Sequence, residues 1–108
     1  MKIEELFSVK DKVAVVTGGS RGIGEMIASA YLANGASVYI TSRKADVCDA
    51  KAKELSERYN AQCTSLPSDL SSLEGIEQFV NEVEALESGI DILVNNAGAA
   101  WALSLIHI

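Results

Sequence analysis

Four short stretches carry residue types that can hold a phosphorylated ligand. The first is Thr17-Gly18-Gly19-Ser20-Arg21-Gly22-Ile23-Gly24. Glycines remove Cβ atoms where backbone must turn sharply and approach a ligand closely. A helix opening in such a stretch offers unpaired amides and a partial positive charge, on which a pyrophosphate can rest. The spacing Gly18-x-x-x-Gly22-x-Gly24 is neither Gly-x-Gly-x-x-Gly nor a P-loop, because no Gly-Lys-Ser/Thr follows. A tight turn without a ligand is the plain alternative.

The second stretch is Ser42-Arg43-Lys44. Dinucleotide folds that select NAD place Asp or Glu at the equivalent strand tip, to accept from the ribose 2′-hydroxyl. No acid stands there in this chain, and Asp46 lies further on. Arg43 can instead clamp a 2′-phosphate with two parallel charge-assisted bonds, and Arg21 can reach the same group. This favours NADP(H) over NAD(H). Otherwise Arg43 and Lys44 are solvated residues at a helix start, an unfavourable place for cations. The third stretch is Ser68-Asp69-Leu70, where Asp69 serves either a ligand or the cap of the following helix. The fourth is Asn95-Asn96-Ala97-Gly98. Its two short amides can tie one strand to its neighbours, and Ala97 and Gly98 let backbone come close to a ligand.

These stretches need strands to present them. Residues 12–17 (KVAVVT) form a short β-branched run that stops at Gly18-Gly19, the pattern of a buried strand. A helix follows over about 22–34, with Ile23, Ile27, Ala30 and Tyr31 on one face and Asn34-Gly35 as its stop. A second strand covers 36–41. A second helix covers 45–59, with Cys48, Ala52, Leu55 and Tyr59 as its apolar stripe. A third strand covers 61–67. Ser71-Ser72-Leu73-Glu74 reads as a capping box in which the Ser71 hydroxyl accepts from the Glu74 amide. The helix behind it carries Leu73, Ile76, Val80 and Val83 and ends near Ser88-Gly89; residues 91–96 form a fourth strand. Strict alternation of strand and helix implies a parallel sheet covered on both faces. The expected architecture is an α/β, Rossmann-type doubly wound parallel sheet in the order 3-2-1-4, truncated after strand four. Its ligand crevice lies at the carboxyl ends of the strands, and every polar stretch above follows a strand.

The motifs Thr17-Gly18-x-x-x-Gly22-Ile23-Gly24 and Asn95-Asn96-Ala97-Gly98, with Asp69 after strand three, resemble the short-chain dehydrogenase/reductase family. The resemblance runs from about Phe7 to Trp101. GGSRGIGEMIA and DILVNNAGAAW are most similar to the 3-oxoacyl reductases of the rhamnolipid-pathway kind. It implies an oxidoreductase acting on a small-molecule ketone or acyl substrate with NADP(H), in a homo-oligomer when complete. It also implies cofactor contacts at Gly18, Ser20, Arg21, Gly22, Ile23, Gly24, Ser42, Arg43, Asp69, Leu70, Asn95, Asn96, Ala97 and Gly98. In such enzymes Asp69 bonds the adenine amino group.

Hydride transfer to a carbonyl also needs a proton donor. The family uses a Tyr whose pKa is lowered by a Lys four residues on, together with a Ser and an Asn. Tyr31, Tyr39 and Tyr59 are followed at that distance by Gly35, Arg43 and Cys63, so no catalytic residue is assigned. The resemblance places that constellation after strand four. Trp101 can line a substrate pocket or simply pack.

The bulk properties restrict partners. The 108 residues suit one domain, and a formal charge of −6 opposes nucleic acid and anionic membrane. No apolar run approaches a membrane span, and MKIEELFSVKDK has no apolar signal core, which points to the cytoplasm. Cys48 and Cys63 have no metal-ligand spacing, so they read as reduced thiols, with no metal site. The last six residues, Leu103-Ser104-Leu105-Ile106-His107-Ile108, translate in frame from CTG TCT CTT ATA CAC ATC, a transposase mosaic end used in library preparation. The expectation is therefore that residues 1–102 are the amino-terminal part of one NAD(P)-binding domain and that 103–108 are a non-native adapter tail. A natural short protein whose apolar tail packs on strand four is the rival. With strand four as an uncovered edge, the isolated peptide is expected to aggregate or fail to fold.

Overall fold

A computed structural model of the chain describes residues 8–87 and 89–96. Four strands alternate with three helices: β1 (Val13–Thr17), α1 (Gly22–Ala33), β2 (Ser37–Thr41), α2 (Ala45–Tyr59), β3 (Cys63–Ser65), α3 (Leu73–Leu86) and β4 (Ile92–Val94). The strands form one parallel sheet in the order β3-β2-β1-β4. Val15 lies opposite Tyr39 and Leu93, and Thr17 opposite Thr41, so the tips of β1 and β2 end level with each other.

The period-2 alternation of strand side chains divides the core into two layers. Ala14, Val16, Val38 and Ile40 pack with Ala28 and Leu32 of α1 and with Cys48, Ala52 and Leu55 of α2. Val15 and Tyr39, from the other face, pack with Leu66, Leu70 and the α3 residues Ile76, Phe79, Val80 and Val83. Short β-branched strands buried on both sides and an apolar stripe on each helix are what this arrangement requires.

The expected bounds of the second helix are those observed, but three details differ from the sequence reading. The buried line of α1 is Gly24, Ala28 and Leu32; Ile27 and Tyr31 only flank it, Ala30 is exposed, and Ile23 is 68% exposed. Small residues occupy the contact because α1 lies close to the sheet, and large apolar side chains are displaced outward. The cap of α3 is Ser72, whose hydroxyl accepts from the Gly75 amide at 3.0 Å, not Ser71. Leu73, at the start of that helix, is 65% exposed, and Phe79 takes the fully buried place. Finally β3 and β4 are shorter than the apolar runs that announced them, three residues each. Among the described residues β4 pairs with β1 alone, and its residues are half-buried.

Candidate functional site

The carboxyl ends of β1, β2 and β3 open into one cleft of about 540 Å³. Its first wall is Gly18, Ser20 and Arg21, after β1. Its second is Thr41 through Lys44 with Val47, after β2. Its third is Ser68 through Ser71, after β3. The walls are tied by backbone. The Gly18 amide donates to the Thr41 carbonyl at 2.9 Å, and the Ser68 amide donates to the Ser42 carbonyl at 3.0 Å.

Conformation explains the glycines of the first wall. Gly18 and Gly22 hold φ of 67° and 61°, in the left-handed region that glycine adopts without strain. A Cβ on Gly22 would meet nothing within 4 Å, so this glycine is required by its backbone and leaves open space beside it. Gly24 is required by packing: a Cβ there would overlap the Gly18 carbonyl oxygen and lie 2.7 Å from Asn96 Nδ2. The tip of β4 is fastened to the same turn. The Asn96 amide donates to Thr17 Oγ1 at 2.8 Å, Thr17 Oγ1 donates to the Val94 carbonyl at 3.2 Å, and Asn96 Nδ2 donates to the Gly18 carbonyl at 3.3 Å.

The electrostatics of the cleft oppose those of the whole chain. Arg21 and Lys44 occupy the N-cap positions of α1 and α2, and neither helix start has a side-chain cap. Both helix N-termini therefore present amides and positive dipole ends beside Arg21, Arg43 and Lys44. Among the described residues the ion pairs involve only Lys51 and Arg58, with Glu25 and Glu54, so these three cations remain available. Across from them Asp69 Oδ1 accepts from the Ser71 amide at 3.0 Å and from the Ser71 hydroxyl. The hydrogen bonds from Ser71, helped by the charge of Arg43, hold the Asp69 carboxyl below its ordinary range. Asp69 is thus an ionised acceptor at the rim, and it does not cap α3.

Of the residues expected at a ligand, Gly18, Ser20, Arg21, Ser42, Arg43, Asp69 and Leu70 line this single cleft. Gly22, Ile23, Gly24, Asn95 and Asn96 do not; Gly24 and Asn96 instead shape the turn that carries Gly18. Ala97 and Gly98 lie outside the described residues, as do Trp101 and residues 103–108. Lys44 and Ser68 stand in the second and third stretches, while sequence reasoning missed Thr41, Val47 and Ser71 as walls. Their signal was adjacency to the motifs. Gly75 was missed too: a Cβ there would overlap the Asp69 carbonyl oxygen, so this glycine in the first turn of α3 lets the third wall cross close over it.

No described tyrosine is placed for proton transfer at the cleft. Tyr39 is 3% exposed and donates to Glu87 at 2.7 Å. Burial, and then the Glu87 bond and charge, push its pKa up to about 12. Tyr59 is lowered by hydrogen bonds with Ser29 and Arg58, but it sits at the far end of α2, roughly 20 Å along the helix from Lys44. Among the described residues no three His, Cys, Asp or Glu side chains converge as a metal site, and no helix is long and apolar enough to cross a membrane.

A family model described as short chain dehydrogenase matches residues 12–107. The chain belongs to the short-chain dehydrogenase family. Among curated relatives, this short-chain dehydrogenase chain is 44% identical over 99 residues to a rhamnolipids biosynthesis 3-oxoacyl-[acyl-carrier-protein] reductase of Pseudomonas aeruginosa, covering 92% of the chain and 38% of the relative. It is 41% identical over 99 residues to a sorbose reductase of Candida albicans, covering 90% and 34%. Among solved structures, the Pseudomonas aeruginosa RhlG/NADP active-site complex superposes with a TM-score of 0.80 at 46% identity, over 85% of this chain and 35% of that one. L-sorbose reductase from Gluconobacter frateurii, complexed with NADPH and L-sorbose, gives 0.80 at 36%, over 84% and 35%. The chain spans between 31% and 39% of the length of the curated relatives it matches.

Proposed function

We propose that this chain supplies the adenosine- and pyrophosphate-binding part of an NADP(H)-dependent short-chain oxidoreductase that reduces a ketone. The observation that carries the reading is the set of three cations, Arg21, Arg43 and Lys44, without an ion pair among the described residues, around a cleft with two helix starts that lack a side-chain cap. On a chain of net charge −6 that is a local site for a multiply charged anion. The residues present fit NADP(H): Arg43 and Ser42 face the place of a 2′-phosphate, the Gly18–Gly22 turn that of the pyrophosphate, and Asp69 that of an amino group. When bound, the nicotinamide supplies the hydride. The chain's own residues bind and orient the other end of the cofactor.

The similarity to the Pseudomonas reductase favours a 3-oxoacyl thioester as substrate. The similarity to two sorbose reductases favours a sugar or polyol instead, and a steroid alcohol is the further alternative within the same family. A non-catalytic NADP(H) sensor on the same fold is the reading from another class. We take residues 1–102 as the amino-terminal part of a longer, cytoplasmic, homo-oligomeric parent and 103–108 as adapter-derived. On this reading the 108-residue chain is inactive alone, because the proton-donating groups belong to later strands.

Titration of the parent with NADPH and NADH tests the cofactor. NADPH is expected to bind at least tenfold tighter, and Arg43→Ala with Arg21→Ala to abolish that preference while NADH affinity changes little. Equal binding of the two by the unsubstituted parent overturns the reading. Parent DNA without Tyr-x-x-x-Lys selects the sensor, and codons other than those of the mosaic end at 103–108 remove the adapter origin.

A further inference from the structure

Thr41 ends β2 at the start of the second wall of the cleft, opposite Thr17 in register, and is 1% exposed. Its backbone is fully used, since its carbonyl accepts from Gly18. Its hydroxyl is not. Thr41 Oγ1 is the one buried side-chain polar atom among the described residues without a hydrogen-bond partner. Thr17, the neighbouring buried threonine, has its hydroxyl engaged by Asn96 and Val94. Buried polar groups are nearly always paired, and an exception marks strain or a missing partner. No positive φ strains Thr41.

The position of this orphan is informative. It lines the same cleft as Ser42, Arg43, Ser68 and Asp69, next in sequence to the first two. We propose that Thr41 is a recognition residue of the cleft whose hydroxyl pairs with the adenosine part of the bound nucleotide, directly or through one ordered water. A hydroxyl both donates and accepts, so it can serve a ring nitrogen or a ribose hydroxyl. Thr41 Oγ1 is itself buried, so pairing with a ligand requires a turn about the Cα–Cβ bond. This rests on reading the cleft as an adenosine-nucleotide site.

The test uses the full-length parent and adenosine 2′,5′-bisphosphate as probe, with calorimetry for affinity and thermal unfolding without ligand. Thr41→Val keeps the shape and removes the hydroxyl. It is expected to bind the probe about tenfold more weakly while melting at the same or a higher temperature. Thr41→Ser is expected to bind within about twofold of the unsubstituted protein. Unchanged affinity in Thr41→Val overturns the proposal alone, as does a lower melting temperature or failure to fold in Thr41→Val when Thr41→Ser folds. No binding by the unsubstituted protein overturns both this proposal and the reading of the site.

Discussion

Asn96 Nδ2 donates to the carbonyl oxygen of Gly18 at 3.3 Å, so the tip of β4 holds the first turn of the glycine loop from behind. The same two residues enclose Gly24. The loop that faces the cleft is therefore braced on its hidden side by a strand 78 positions later in the chain.

Gly24→Ala should be among the most damaging conservative changes available. The added methyl meets a backbone carbonyl that has no free side chain to move. Overpacking of this kind costs about 1–3 kcal/mol. Thermal unfolding of the parent should show a lowered midpoint, with weaker NADPH binding where the variant still folds. A midpoint equal to that of the unsubstituted protein contradicts the packing.

Ser72 and Ser71 should separate cleanly. Ser72→Ala removes the cap of α3 and is expected to cost about 1 kcal/mol in urea unfolding. Ser71→Ala leaves the cap in place and removes the hydroxyl bond to Asp69, while the backbone amide at 71 still donates to the carboxylate. A carboxyl lowered in the folded state stabilises above its unfolded value and loses that contribution as pH falls through the folded one. Carboxyl-carbon NMR should find the Asp69 midpoint below 3.8 in the unsubstituted protein and moved upward in Ser71→Ala.

Tyr39 gives the fold an alkaline limit. Its pKa rises from 10.0 to about 12 on folding, through burial first and Glu87 second. The unfolded chain loses this proton at lower pH than the native one. Stability from the group is thus complete below pH 10 and is lost as pH climbs towards 12, by on the order of 2 kcal/mol. Denaturant titrations across that window should show the loss, and Tyr39→Phe should flatten it. An unchanged slope in Tyr39→Phe would assign the alkaline loss elsewhere.

The two thiols should be silent in the native protein. Cys48 is fully buried and Cys63 is 8% exposed, and burial followed by the neighbouring Cys48 pushes Cys63 from 9.0 up to about 12. That lowers its thiolate fraction about a thousandfold. A disulfide-exchange reagent at pH 8 should label both thiols only after denaturation; rapid labelling of Cys63 in the folded state would be inconsistent with its burial.

Much of this arrangement was legible because strand-end motifs announce themselves. Gly18 and Arg21 follow the first strand, Arg43 the second and Asp69 the third, and parallel order brings such ends to one edge of the sheet. The bounds of α2 were readable because Cys48, Ala52 and Leu55 keep helical spacing between Lys44 and Asn60. The face of α1 was not. Hydrophobicity selects Ile23 and Ile27, whereas close approach to the sheet selects Gly24 and Ala28, and a count of apolar residues cannot weigh that. The cap of α3 was misplaced by one residue because Ser71 and Ser72 offer the same hydroxyl, and only the path of the chain from Asp69 assigns them different partners. The orphan hydroxyl of Thr41 was invisible for a similar reason: an unmet bond is a property of surroundings.

The division of the core into two layers has a mechanical consequence. Lys51 of α2 reaches Glu25 of α1 at 3.2 Å, so the two walls rich in cations rest on one clamped pair of helices. The wall of Asp69 rests on the opposite layer, under Leu66, Leu70 and α3. The recognition edge is thus underwritten by both halves of the core at once, and the Ser68 amide on the Ser42 carbonyl stitches the two halves together where they meet the ligand.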